Sequence, residues 1–324
     1  MRDESRSRRE ARQGVLLGLL AVSCFALTLP ATKLAVGGFP PATVALGRVA
    51  LAGVLALSLL AWAARRGELV RPRGSDLRRL VVCCLSVAVS FPFLIAWALA
   101  RTSSSHAAVV LALQPLVTAG FAVLRAGERP GPRFWVASGA GALLSGLYFV
   151  SRASGPLEPA DAALVLALVV ACLGYVEAAL LARRLGALRV TLWASALPAP
   201  VVLPLFLLAL ASQPLPTDPR AWVGLCWVGL VSQLLAAVPW FRGLALGGAA
   251  RVGQVQLAQP FLTLGLSAWL LHEPIGLDMS LTAAGVVTCA LLAIRARPSA
   301  PFAAPPGLAA SFPGAAAHAV TSCR

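Results

Sequence analysis

Ten stretches of this chain are each apolar enough, over about 20 residues, to cross lipid as a helix, and nothing else in the sequence restricts its fold as tightly. They fall at roughly 14–36, 42–63, 77–99, 103–124, 133–151, 160–181, 190–211, 221–241, 249–271 and 276–294. The separators carry loop chemistry: Gly37-Gly38-Phe39-Pro40-Pro41, Arg71-Pro72-Arg73-Gly74, Arg129-Pro130-Gly131-Pro132 and Pro214-Leu215-Pro216-Thr217-Asp218-Pro219. The runs at 103–124 and 249–271 stand apart, since each contains polar residues and a proline. The expected fold class is an all-α polytopic membrane protein, because a backbone in lipid must satisfy its own hydrogen bonds.

A soluble reading fails on composition. Of the 324 residues 59% are hydrophobic and 12% charged, against about 25% charged in a typical soluble domain. A soluble fold could not hide so much apolar surface from water. The seven cysteines are scattered, with no CxxC pair or Cys/His cluster, and read as small apolar fillers. Arg-rich residues 2–12 ahead of an apolar run also begin the way a signal peptide does, and Ala21-Val22-Ser23-Cys24 weakly resembles a lipoprotein cleavage box. We expect the segment to be retained, since cleavage would remove a helix that the repeat below requires.

Net charge is +15, which on a soluble protein would point to nucleic acid. Here the cations sit in the gaps between runs. With a cytoplasmic N-terminus, 22 arginines fall in inside loops and tails, and only Arg101, Arg152 and Arg220 fall outside. Lys33 and Arg48 complete the 27 cations. That bias is what the positive-inside rule predicts, and it places both termini in the cytoplasm of a multi-pass cell-membrane protein. No nucleic-acid partner is expected. Residues 298–324 are Ala- and Pro-rich without periodicity and read as a disordered cytoplasmic tail.

Shifting the sequence by 145 residues lays Leu99-Ala100 on Leu244-Ala245 and Gln114-Pro115 on Gln259-Pro260 without a gap. The same shift pairs Thr118 with Thr263, Gly120 with Gly265 and Glu128 with Glu273. Leu and Ala matches are common in such a composition; Gln, Pro and Glu matches are not. The chain therefore divides into a basic N-terminus (1–13), a first five-helix repeat (14–151), a second (157–297) and the tail (298–324). An odd number of spans per repeat inverts the second half, a recurring plan of secondary transporters with a midplane site.

The stretch Ala98-Leu99-Ala100-Arg101-Thr102-Ser103-Ser104-Ser105, through Gln114-Pro115-Leu116 to Gly127-Glu128-Arg129-Pro130, resembles the signature of EamA-type members of the drug/metabolite transporter superfamily. So does its echo, Gly243-Leu244-Ala245 through Gln259-Pro260 to His272-Glu273-Pro274. The resemblance covers roughly residues 14–297. It implies a ten-helix exporter-type fold of two EamA repeats and leaves the cargo undefined. Segment one carries Phe25 where such repeats often have Trp.

Polar side chains inside apolar runs are the candidates for chemistry, because lipid cannot satisfy them. Gln256, Gln259, Thr263 and Ser267 recur at i, i+3, i+7 and i+11, along one face of a helix; Gln114 and Thr118 echo them in segment four. The stripe either lines a substrate path or is interhelical glue, worth about 0.6 kcal/mol per bond. Pro115 and Pro260 predict kinks that free backbone carbonyls at midplane depth. Gln233 is expected to join the cavity, with Tyr175 and Trp240 as aromatic walls, although Trp97 and Trp240 equally suit an interfacial belt.

Arg48 lies inside segment two, where an arginine costs about 2.5–3.5 kcal/mol on insertion scales. It either binds an anionic group such as a carboxylate or extends its stem to the outer interface. Lys33 reads as an interfacial anchor. Glu177, the only acidic residue well inside a run, is a possible coupling site for a proton or cationic substrate, or a structural ion pair with Arg184. Glu128 and Glu273, at run ends beside prolines, read as structural.

These readings favour a secondary transporter, an exporter by resemblance, of a small organic molecule. The sequence contains neither a GxxxxGK phosphate loop nor a cofactor motif. A polytopic enzyme would want clustered His, Asp or Glu, and His106, His272 and His318 are isolated in sequence. A channel or scaffold remains the other alternative.

Overall fold

Most breaks inside the apolar runs fall just ahead of a proline, although Pro204 sits within an unbroken helix. The structure is a computed structural model describing residues 2–152, 158–271 and 276–296. The expected tail from 298, with His318 and Cys323, and His272 and Glu273 lie outside the described residues. The first apolar run forms α1 (Arg2–Phe25) and α2 (Thr28–Gly38). Pro30 has no N–H to give the Ala26 carbonyl four residues back, and the helix opens at Ala26-Leu27. In α3 (Pro41–Arg65) the proline stands at the first helical position, where its missing donor costs nothing, and the rod is unbroken.

Next, α4 (Ser75–Cys83) passes through π-helical turns at Cys84–Ser90 into α5 (Phe91–Leu99), whose first turn holds Pro92. The fourth run splits into α6 (Ser104–Leu111) and α7 (Gln114–Ala126) just ahead of Pro115. Then come α8 (Pro132–Arg152) and α9 (Pro159–Leu185). At Leu197-Pro198 the chain bends by 52° between α10 (Ala187–Ala196) and α11 (Ala199–Ala211). Beyond it, α12 (Pro219–Cys226) reaches α13 (Ala237–Gly247) through a second π-helical stretch, Trp227–Leu235. The ninth run is α14 (Ala249–Gly253), a 3₁₀ turn at Gln254–Ala258 and α15 (Gln259–Leu271), with Pro260 in the first turn; α16 (Leu277–Arg295) ends the described chain.

Helix thus covers each apolar run, and no strand occurs among the described residues. Five spans are long and apolar enough to cross a membrane: Arg9–Gly38, Pro41–Arg65, Ser75–Leu99, Pro159–Leu185 and Pro219–Gly247. The bent α10–α11 pair makes up to six. The breaks explain part of the shortfall from ten, since the fourth run consists of pieces of 8 and 13 residues, too short to span alone.

The breaks recur at matching places in the two halves. Moving the π stretch Cys84–Ser90 along by the repeat interval lands it inside Trp227–Leu235, and the interruption before Pro115 lands on the 3₁₀ turn before Pro260. Packing follows the same exchange: α1 and α2 lie on α13 and α12, as α9 lies on α4 and α5. The pairs α3 with α10–α11, α7 with α14 and α8 with α16 join each repeat to its counterpart. Close approach needs glycine at α12, where a Cβ on Gly224 would stand 2.4 Å from the Ala31 carbonyl of α2. Side chains such as Trp269 (74% exposed) and Leu124 (77%) turn outward, an apolar exterior suited to lipid.

Candidate functional site

The broken segments converge on one enclosed space. Its lining runs from Phe25, Thr28 and Leu29 at the α1–α2 break through Arg48 of α3, Val87 and Phe91, Leu111 and Gln114, and Tyr175 of α9. Ser232, Gln233, Ala237, Trp240, Phe241 and Gln259 complete it. The cavity measures about 30 Å³, enough for about two waters. A smaller space of about 10 Å³ shares Leu29, Leu111, Gln114 and Gln259 with it and adds Gln256 and Thr263. That leaves room for solvent and not for an organic molecule.

Two of the expected polar residues satisfy carbonyls that proline leaves behind. Thr263 Oγ1 donates to the Ala26 carbonyl at 3.0 Å, the group that Pro30 leaves without its helical partner. Gln233 Nε2 reaches the Ala88 carbonyl, four residues before Pro92, at 3.4 Å. Thr28 and Ser232 share a 2.6 Å hydrogen bond between the two halves. Both were missed in the sequence, where an isolated hydroxyl in an apolar run was the available signal. Gln256 Nε2 donates to Gln114 Oε1 at 3.3 Å, joining the two glutamine-bearing segments. Gln259 Oε1 and Gln256 Oε1 are buried without a hydrogen-bond partner.

Arg48 is buried, 5% exposed, and is among the residues lining the cavity, which argues against the expected alternative of an interfacial anchor. Its Nε donates to Gln233 Oε1 at 2.9 Å, and its Cζ lies 5.5 Å from the centre of the Phe91 ring. Among the described residues no carboxylate pairs with it. Trp240 packs edge-on against Phe25 and Tyr175, with ring centres 6.1 and 5.6 Å apart. Its full burial removes the interfacial-belt reading, and its indole N–H has no partner.

Other expectations land elsewhere. Thr118 is buried but lies outside the lining, where a Cβ on Gly253 would approach its methyl group to 3.2 Å. Ser267 bonds Ser104 at 2.8 Å, which is interhelical glue. Lys33 is no lipid anchor: Nζ donates to the Leu99 and Thr102 carbonyls, each at 2.8 Å, closing the end of α5. Glu128 accepts from the Ala249 and Ala250 amides at 2.7 and 2.9 Å, capping α14 as a structural residue.

Glu177 is fully buried but not in the cavity lining, and its ion-pair partners differ from the expected Arg184. One oxygen meets Arg79 Nη1 of α4 at 2.9 Å and the other Arg125 Nε of α7 at 2.6 Å. Arg184 pairs with Asp76 at 2.7 Å instead. Helix spacing puts Arg184 two turns along the same face of α9, but arginines of α4 and α7, both packed on α9, hold the carboxylate instead. Among the described residues no group of three or more His, Cys, Asp or Glu could hold a metal ion.

Comparison with known proteins agrees with this architecture. The EamA-like transporter family matches residues 12–152 and again residues 159–295. The chain is 41% identical over 282 residues to the "Uncharacterized transporter YdeK" of Bacillus subtilis (strain 168), covering 87% of this chain and 97% of that protein. A crystal structure 18% identical in sequence superposes with a TM-score of 0.66, over 86% of this chain and 97% of its own, and shares the fold.

Proposed function

The chain belongs to the EamA-like transporter family, and from that premise we propose that it exports a small organic molecule across the cell membrane by alternating access. In this reading the helical pieces make ten spans, arranged as two inverted repeats with both termini in the cytoplasm. The carrying observation is that Gln114 and Gln259, equivalent residues of the two repeats, line one closed cavity between the halves. A site shared by two inverted halves faces one side or the other as they rock. The proline breaks around it are places where such rocking can bend the helices.

Gln114, Gln256 and Gln259 present amide groups to cargo, Tyr175 and Trp240 provide its walls, and Gln233 holds Arg48 in position. Glu177 acts at a distance, by tying α4 and α7 to α9, rather than by touching cargo. In this reading the energy comes from a gradient of an ion or of the substrate itself.

The test is counterflow. Proteoliposomes holding the chain, loaded with an unlabelled metabolite mixture, are compared with protein-free liposomes for uptake of labelled components. Alternating access predicts saturable uptake that is accelerated by the same compound on the opposite side. Uptake that stays linear with concentration and shows no such acceleration points to a channel, and its complete absence for every component removes the transporter mechanism proposed here.

A further inference from the structure

Arg48 is the only residue with a full charge among those lining the cavity and its smaller neighbour. It is held 5% exposed by Gln233 and the Phe91 ring, neither of which carries an opposite charge. A buried cation without a counter-ion is costly unless something else supplies the charge. Nothing in the described protein does. A second donor stands in the same lining without a partner, the indole N–H of Trp240. Around both lie Phe25, Phe91, Tyr175 and Phe241, which make much of the remaining wall flat and aromatic.

We infer that the cavity binds an organic monoanion, a carboxylate on an aromatic or similarly flat apolar body, with Arg48 and the Trp240 N–H as its oxyanion donors. One uncompensated positive charge is matched by one negative charge. A dianion would bury a second unpaired charge. An amino acid's ammonium would meet amide oxygens of Gln256 and Gln259 but no carboxylate, so the desaminated acid binds better than the amino acid. The guanidinium fork suits a carboxylate's two oxygens, which a lysine head cannot match. The inference rests on the transporter reading only in calling this ligand a cargo.

The test uses the full chain in lipid nanodiscs, titrated by calorimetry with 3-phenylpropanoate, its neutral amide, phenylalanine and phenethylamine. The acid binds saturably, and the amide and phenylalanine bind at least about tenfold more weakly, a difference of about 1.4 kcal/mol. Arg48→Lys weakens the acid by about tenfold, Arg48→Gln abolishes its binding, and Trp240→Phe weakens it about two- to tenfold, the range expected for one lost hydrogen bond. Arg48→Gln also raises the melting temperature of the unliganded protein, by about 2–4 °C, because it removes a buried charge that only the ligand neutralises. A merely structural arginine would lower it. Equal or tighter binding of the amide, phenylalanine or phenethylamine overturns the inference, as does failure of the acid to bind or a lower melting temperature for Arg48→Gln. If the acid binds but is not moved in counterflow, the anion site stands and the transporter reading falls. If a neutral compound is moved and the acid does not bind, the reverse holds.

Discussion

Gln259 and Thr263 lie one helical turn apart in α15, and the structure gives them different work. Thr263 satisfies the Ala26 carbonyl, whereas Gln259 Oε1 faces the cavity region without a partner. Substitutions should separate the two. Thr263→Val keeps the shape but strands a buried carbonyl, and should cost about 1–3 kcal/mol of stability, seen as a lower melting temperature in detergent. Gln259→Leu should leave melting unchanged and lower transport about two- to tenfold, as expected for losing one hydrogen bond to cargo. If Gln259→Leu lowers melting and transport together, the residue is glue like Thr263, and its assignment to the cargo path is dropped.

Among the elements, α9 is the member that ties the arginine-rich end together. Through Glu177 it binds Arg79 of α4 and Arg125 of α7, and through Arg184 it binds Asp76 at the start of α4. Arg79 and Arg125 are 34% and 49% exposed, so losing their partner leaves them free to turn to water and should cost little stability. Glu177→Gln is therefore expected to loosen the contact rather than unfold the protein. Hydrogen exchange should accelerate in α4 and α7 while α15, which takes no part in the pairing, keeps its protection. Unchanged exchange in α7 would mean that the ion pairs do not hold this end together. The two π-helical stretches belong to the same scale: their registers place Ser86, Ala88, Ser232 and Gln233 inward, next to the breaks that alternating access would bend.

For the whole molecule, orientation is the property that the arginine count predicts most directly. Reporter fusions after residues 70, 187 and 298 should report cytoplasm, and fusions after 155 and 216 the opposite side. A cytoplasmic signal at 155 would break the two-repeat topology, since it requires an even number of crossings in the first half. The closed cavity of about 30 Å³ also belongs to this scale. It is far below the several hundred Å³ of usual ligand pockets, so on the proposed mechanism cargo would enter only when the halves move apart.

Some of this was decided by the sequence alone. Lipid leaves a spanning backbone no partner but itself, so apolar runs of membrane length had to be helices, and prolines inside them had to interrupt the ladder. The matched Gln-Pro pairs carried the repeat, because those residues are rare enough in this composition to resist coincidence. Periodicity also placed Gln256, Gln259 and Thr263 on one helix face. It could not say what stood opposite. Arg48 and Gln233 are 185 residues apart, and Glu177 meets partners 98 and 52 residues away. Which polar side chain caps a broken helix, which pairs with a charge and which is left open to a ligand depends on the packing of distant segments. Spacing along a single helix gives a direction around its axis, and only the tertiary structure supplies the neighbour that lies in that direction.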